Sequence, residues 1–300
     1  MKYRKLGKSS LSMSELTLGG MSLPTDPTAT TEMMEYAASE GINWIDTADL
    51  YEQGANEERI GNALNSFTND FHVATKVGNR FQAGKEGWTW NPDPTWIRQA
   101  VENSLTRLQR EVIDLYQLHG GTKEDSWDDI IETFERLKEK GLIREYGISS
   151  IRPNVIYPYF EKSSAVSIMM QYSALDRRPE MVFPFLNNHQ IGLLVRGGQA
   201  KGLLTDQGLP KLQKVKNYGD YSNEELEHLV AHMHKNLDNL GAVSLHQILR
   251  EEPVTSVVIG SSKMDQLKDS IKNYHTRVTQ QSIDHLLEIL PTQLYKEHTD

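Results

Sequence analysis

Four residues of this 300-residue chain, Asp46, Tyr51, Lys76 and His119, are of types that together can protonate a carbonyl. A tyrosine is a poor proton donor at neutral pH, because a free phenol ionises only near pH ~10. An ammonium beside it favours the phenolate and makes the proton easier to give. A carboxylate beside the lysine holds that ammonium charged and oriented. A histidine within reach can bond the carbonyl oxygen or share the phenolic proton. Such a set suits protonation of a carbonyl oxygen while hydride arrives at its carbon. Side chains cannot deliver hydride, so the chemistry needs a nicotinamide cofactor.

Most of these residues stand where apolar runs end. NWID ends in Asp46, HVATK in Lys76, DLYQLH in His119, GIS in Ser149, IMMQ in Gln171 and GLLVR in Arg196. Any one polar residue at a strand end is ordinary. Several ionisable groups at successive strand ends are not, because each needs a partner or a ligand to offset its desolvation.

The elements that must position them alternate. Eight β-rich runs are read at Leu16–Gly19, Asn43–Asp46, His72–Lys76, Leu115–His119, Tyr146–Ser149, Ser167–Gln171, Gly192–Arg196 and Ser256–Gly260. Helical periodicity is read at Thr30–Glu40, behind hydroxyl residues suited to capping, and at Thr95–Leu108 and Asp128–Lys140. It returns at Asn223–Leu237, Ala242–Glu251, Lys263–Lys272 and Gln280–Leu290. Strands alternating with helices predict βαβ units and a parallel sheet. Eight of them in this length predict an α/β fold, a closed (β/α)8 TIM barrel, rather than an open doubly wound sheet. Tyr3–Leu6 and Leu11–Met13, joined by a Gly-Lys-Ser-Ser turn, predict an N-terminal β-hairpin that plugs the barrel's N-terminal end. No linker divides the chain, so 1–300 reads as one domain. Two long connections, Val77–Pro94 with Trp88 and Trp90 and Gly197–Tyr221, follow strands and should shape a pocket at the C-terminal face.

Composition narrows the partners. The net charge of −9 disfavours non-specific nucleic-acid binding, which needs a basic face. The chain has no cysteine, which excludes thiol redox chemistry, disulfides and Cys-ligated zinc. No run approaches the ~18 apolar residues of a membrane span, and the N-terminus carries no apolar signal-peptide core. The expectation is a cytoplasmic protein acting on a small molecule, without nucleic acid or membrane.

No GxGxxG opens a first βαβ unit, and Gly197, Gly198 and Gly202 have the wrong spacing and place for one. VVIGSSKMDQL offers another phosphate site. It reads as strand, Gly260, Ser261, Ser262, Lys263, then helix, so helix N-terminal amides and added donors can face a phosphate. An ordinary serine cap is the plainer alternative for that segment. His228 and His232 share a helix face near His234, but no third ligand or HExxH accompanies them, so a solvated helix is preferred and no metal is expected. Trp88 and Trp90 suit either a pocket wall or loop anchoring.

Taken in order, YRKLGKSSLSMSELTLGGM, GINWIDTADLYEQGANEERIGNAL, VATKVG, LTRLQREVIDLYQLH, GLIREYGISS, QYSALDR and VIGSSKMDQL resemble the aldo-keto reductases over nearly the whole chain. The resemblance implies a catalytic tetrad of Asp46, Tyr51, Lys76 and His119, with Tyr51 as general acid. It implies that Ser149 and Gln171 hold the nicotinamide carboxamide, with Gly20, Met21, Ser150, Arg196, Gly197 and Gly198 beside the cofactor. It implies that Lys201, Gly202 and Leu203 lie over the pyrophosphate. It also implies that the segment from Gly260 through Gln266, with Ser270, grips the adenosine end and its 2′-phosphate, so that NADPH is the cofactor. Three positions depart from the usual pattern: Ser150 and Ser270 stand where asparagine is common, and Arg196 where an aromatic ring stacks on the nicotinamide. The expected activity is NADPH-dependent reduction of an aldehyde or ketone. The alternatives are a cofactor-sensing regulatory subunit and a barrel aldolase using Lys76 as a Schiff base. Neither motif nor spacing assigns an oligomeric state.

Overall fold

The computed structural model describes residues 1–66, 71–81, 87–215, 218–291 and 293–299. The chain opens with an antiparallel hairpin, β1 (Tyr3–Lys5) and β2 (Ser12–Ser14). Eight parallel strands then close into a barrel: β3 (Leu16–Gly19), β4 (Trp44–Asp46), β5 (His72–Val77), β8 (Ile113–Leu118), β9 (Ile143–Ser149), β10 (Ser167–Gln171), β11 (Gly192–Arg196) and β12 (Val254–Gly260). They follow one another around the barrel in chain order, and β12 pairs with β3. Between β5 and β8 lies a second hairpin, β6 (Asn79–Phe81) with β7 (Trp88–Trp90).

The barrel forms because its strands are apolar on both faces. Inward residues Trp44, Ala74, Leu115, Met169 and Leu194 make a buried cluster with Leu6 and Met13 of the hairpin region, which therefore plugs the N-terminal end. Outward residues such as Ile45, Val73, Tyr116 and Ile148 pack beneath the helices. The next inward layer toward the C-terminal face is polar, and it holds the candidate site.

The helices are α1 (Pro27–Ser39), α2 (Ala55–Leu64), α3 (Pro94–Leu108), α4 (Trp127–Glu139), α5 (Pro153–Lys162), α6 (Phe183–Asn188), α7 (Asn223–Asn236), α8 (Leu240–Leu249), α9 (Met264–His275) and α10 (Gln280–Ile289). The sequence reading lacks α2, α5 and α6. The first two carry helix-weakening residues, Gly61 and Pro158, and α6 has only six residues. Helix α1 begins at Pro27 rather than Thr30, because Asp26 accepts from the Ala29 N–H at 2.7 Å. A carboxylate does the capping assigned to hydroxyls. Helices α7 and α10 pack around a second apolar cluster outside the barrel that includes Leu203, Leu226, Val230 and Leu286. Among the described residues no helix is long and apolar enough to cross a membrane.

The two long connections have structure that periodicity does not reveal. The first contains the β6–β7 hairpin, whose Trp90 ring packs where Cβ atoms on Gly78 and Gly120 would stand, at 2.6 and 3.1 Å. Its indole donates to Asp125 at 3.0 Å. Trp90 thus wedges between the loops that follow β5 and β8, while Trp88 is exposed. The second connection makes two 3-10 turns, Ala200–Gly202 and Leu209–Lys214. Residues 82–86 of the first connection and 216–217 of the second lie outside the described residues.

Candidate active site

Inward-facing residues at the C-terminal ends of adjacent strands bring Asp46, Lys76 and His119 together. Lys76 is fully buried, and its Nζ donates to Asp46 Oδ1 at 2.8 Å, Asp46 Oδ2 at 2.7 Å and the Thr47 carbonyl at 2.7 Å. Burial pushes the Asp46 carboxyl up, and Lys76 and Arg196 pull against that shift. Burial also works against the Lys76 ammonium, but Asp46 and Tyr51 outweigh it and hold the lysine above its ordinary value. The result is an ammonium locked in place by its carboxylate.

Tyr51 faces this ammonium, with Nζ 5.2 Å from its ring centroid. His119 lies just past the end of β8, edge-on to Tyr51 with ring centroids 6.1 Å apart and an interplanar angle of 84°. Desolvation, then Lys76 and Arg196, depress the His119 imidazole to about 3. It is therefore neutral at physiological pH and can donate one N–H without carrying charge. Native His119 refuses a proton that the unfolded chain accepts between about 3 and 6.5. Stability should fall as pH falls through that window, with the contribution fully present above 6.5. We expect His119→Asn to flatten this part of the stability–pH profile, measured by denaturant melts. An unchanged slope would contradict a neutral buried imidazole.

Tyr51 is carried by an unusual turn. Glu52, Gln53 and Gly54 take left-handed backbone conformations, with φ of 51°, 56° and 94°. Such conformations are costly for residues with a Cβ and persist only when their surroundings hold them. Two ion pairs do so. Arg59 grips Glu52 through two hydrogen bonds of 3.0 and 2.8 Å. Arg107 packs its side chain under Gly54, where a Cβ would sit 2.8 Å from its Cδ, and donates to the buried Glu57 at 2.8 and 2.6 Å. Glu57 also accepts from Thr75, the residue before Lys76, at 2.5 Å. One carboxylate thus braces both the Tyr51 turn and the Lys76 strand. Asn56 ties Gly20 to Thr47, donating to the Gly20 carbonyl at 2.9 Å and accepting from Thr47 Oγ1 at 2.7 Å. Thr47, Asn56, Glu57 and Arg107 are not among the predicted site residues, although the first three lie inside the motif carrying Tyr51. Asp49 is also new: its carboxyl is buried without a side-chain partner, and burial with Glu57 nearby raises it well above its ordinary value.

The remaining predicted residues continue around the rim. Ser149 ends β9, Ser150 follows it, and both are buried. Gln171 accepts from Arg196 Nη1 at 3.2 Å and donates to Asp176 at 2.9 Å, so both ends of its amide are engaged. Gly197 takes φ 70° directly over Gln171, and Gly198 packs against Ile248. Lys201 and Gly202 form the next turn, but the Leu203 side chain is fully buried in the second apolar cluster, so only its backbone can face a ligand. Gly20 is buried at the start of the turn after β3, where a Cβ would stand 2.8 Å from the Asp46 carbonyl, and Met21 is exposed.

Gly260 ends β12 beside Ser22, and the next residue, Ser261, is fully buried with an Oγ that has no protein partner. Ser262 donates from N–H and Oγ to Gln266 at 2.9 and 3.1 Å. Lys263 is exposed, and no side chain caps the start of α9. Ser270 faces Gln199 at 3.4 Å. An orphaned buried hydroxyl, an uncapped helix start and a cation on one turn fit a phosphate-bearing cofactor. His228 and His232 are exposed on α7, and His234 contacts the Leu203 carbonyl at 3.4 Å. Among the described residues no group of three metal-ligating side chains gathers.

Residues 15–291 match the model of the aldo/keto reductase family. The chain belongs to the aldo/keto reductase family. It is an oxidoreductase of that family on the barrel fold. It is 47% identical over 304 residues to the uncharacterized oxidoreductase YqkF of Bacillus subtilis, covering 99% of each. Among solved structures it is similar to the aldo-keto reductase AKR11C1 from Bacillus halodurans, with 45% identity, 100% of each chain covered and a TM-score of 0.93 for the holo form. The apo form of AKR11C1 gives a TM-score of 0.85. The glycerol dehydrogenase AKR11B4 of Gluconobacter oxydans shares the fold, with a TM-score of 0.83 at 24% identity, over 96% of this chain and 94% of that one.

Proposed function

We propose that this aldo/keto reductase uses NADPH to reduce an aldehyde or ketone to the alcohol, with Tyr51 as general acid. The observation that carries the reading is the buried Lys76–Asp46 pair facing Tyr51, with a neutral His119 edge-on, at the open end of the barrel. NADPH, when bound, supplies the hydride. Tyr51 gives its proton to the carbonyl oxygen. Lys76 stabilises the phenolate left behind, and Asp46 keeps Lys76 charged and aimed. Neutral His119 donates a hydrogen bond to the same oxygen and orients the carbonyl. Ser149 and Gln171 hold the carboxamide of the cofactor. For Gln171 this requires sharing an amide that Arg196 and Asp176 already engage.

Ser261, Ser262 and Lys263 hold the 2′-phosphate of the cofactor in this reading, which makes Lys263 the discriminator between NADPH and NADH. Loss of one charge-assisted contact to phosphate is worth ~1.5–3 kcal/mol, or roughly tenfold to a hundredfold in affinity. Lys263→Ala should therefore raise the dissociation constant of NADPH by about that factor and leave NADH nearly unchanged, read by nucleotide fluorescence. Equal weakening of both would remove Lys263 from phosphate recognition. Oxidation of bound NADPH by a panel of aldehydes and ketones tests the reading as a whole. Binding without any hydride transfer would favour a cofactor-sensing role instead.

A further inference from the structure

Of Asp46, Tyr51, Lys76 and His119, only Tyr51 stands several residues from a barrel strand, so sheet hydrogen bonds do not set its distance from Lys76. Asp46 and Lys76 lie in β4 and β5, and His119 directly follows β8. Beyond β4 the backbone is tied to β5 by the Thr47 N–H, which donates to the Ala74 carbonyl at 2.8 Å, and by the Asp49 N–H, which donates to the Lys76 carbonyl at 3.2 Å. The next bonds stay within the turn: Tyr51 N–H to the Ala48 carbonyl at 3.1 Å and Gln53 N–H to the Leu50 carbonyl at 3.3 Å. The backbone then runs left-handed through Glu52, Gln53 and Gly54, a path that its surroundings must hold.

A closed circuit of contacts does the holding. From Tyr51 the chain runs on to Gly54, and Arg107 packs against Gly54, with Cδ and Nε each 2.8 Å from where a Cβ would stand. Arg107 donates to Glu57 Oε2 from Nε at 2.8 Å and from Nη2 at 2.6 Å. Ser104 donates to the same oxygen at 3.2 Å and accepts from Arg107 Nη2 at 3.2 Å. The other oxygen, Oε1, accepts from Thr75 at 2.5 Å. Thr75 is followed by Lys76, whose Nζ faces the Tyr51 ring at 5.2 Å and so closes the circuit. Glu57, Thr75 and Ser104 are fully buried, so water does not compete for these bonds. Strand side chains alternate, so Thr75 points out of the barrel toward Glu57 while Lys76 points in. A shift of Thr75 therefore tilts the strand that carries Lys76.

We propose that Thr75, Glu57 and Arg107 are positioning residues that set the separation of Tyr51 from Lys76, and through it the rate of proton transfer, without touching substrate or cofactor. The inference rests on the proton-donating role given to Tyr51 above. Stabilisation of the phenolate by the ammonium grows as the two approach, and it acts in a buried site where water does not dilute it. All three positioning residues lie outside the barrel wall, so their effect on the chemistry passes through the strand on one side and the turn on the other. A circuit opens once any link is cut, so cutting two links costs the chemistry no more than cutting one.

The test uses Thr75→Val, which keeps the shape of the side chain and removes the hydroxyl, and Arg107→Met, which keeps an unbranched stem under Gly54 and removes the guanidinium. Melting curves fix a temperature at which each full-length variant is folded, and single-turnover hydride transfer from NADPH to a reactive aldehyde is measured there. Thr75→Val is expected to slow transfer by about tenfold to a hundredfold, the usual result of misplacing a catalytic group by up to an ångström. The loss should fall on kcat, with the KM of the aldehyde and the dissociation constant of NADPH held within about twofold. Thr75→Ser, which restores the hydroxyl, should restore the rate. In the double variant the rate should match the slower single variant, although the losses in Tm add. A folded Thr75→Val that transfers hydride at the wild-type rate overturns the proposal, as does a loss that Thr75→Ser does not recover, or rate losses that multiply in the double variant. Should Arg107→Met fail to fold, Thr75→Val and Thr75→Ser decide the matter alone. Tyr51→Phe is the control: if it turns over normally, the underlying reading falls, and if it is inactive while Thr75→Val matches wild type, this inference alone falls.

Discussion

Tyr51→Phe is expected to lower kcat by about a hundredfold to ten-thousandfold, the usual contribution of a positioned general acid. The substitution removes one oxygen from a half-buried ring and leaves the ring's contacts with Lys76 and His119 in place. The Tyr51 turn should survive, because its left-handed residues are held by Arg59 and Arg107 and not by the phenol. NADPH affinity should therefore change little, and the loss should fall on kcat rather than on binding. Stopped-flow measurement of hydride transfer separates chemistry from product release. Turnover within a few-fold of wild type would remove Tyr51 from the proton-transfer role.

Lys76→Met has the second large consequence, because it acts on stability as well as activity. It leaves the Asp46 carboxyl, 5% exposed, without the ammonium that donates to both of its oxygens, and leaves the Thr47 carbonyl without the hydrogen bond it accepts from the same ammonium. Breaking a buried pair by removing one partner costs about 3–5 kcal/mol, which in a chain of this size lowers Tm on the order of 10 °C. Asp46 would then escape part of that cost by staying protonated. A carboxyl raised in the native state binds a proton that the unfolded chain releases, so the variant should regain stability as pH falls toward the ordinary carboxylate range. The double variant Asp46→Asn with Lys76→Met should recover most of the lost Tm and none of the turnover. If the single variant melts with wild-type protein, the pair contributes nothing to the fold.

Much of this arrangement was legible before any coordinates. The eight barrel strands were readable because parallel strands buried on both faces appear as continuous apolar runs, such as IDLYQL in β8. The inward residues at their ends were readable because strand side chains alternate with a period of two, so the last polar residue of each run marks the rim. Helices α2, α5 and α6 were not readable. Their burial comes from packing against neighbours, as where Gly61 lets α2 approach the Arg107 carbonyl, and local propensity argues against them. Leu203 shows what a motif leaves out: the family pattern names its turn, but its apolar side chain joins an apolar cluster, so only its backbone can face a ligand.

By itself the sequence determined the barrel, the order of its strands and the residue types at its open end, because burial periodicity and strand alternation are local properties of the chain. Only the tertiary structure decided which of those residues share charge. Asp46 and Lys76 cancel across adjacent strands, Glu57 joins the Tyr51 turn to the strand of Lys76, Asp176 goes to Arg178, and Arg196 goes to the Gln171 amide. Pairings of that kind depend on distances through space between residues far apart in the chain, and no spacing within one element encodes them.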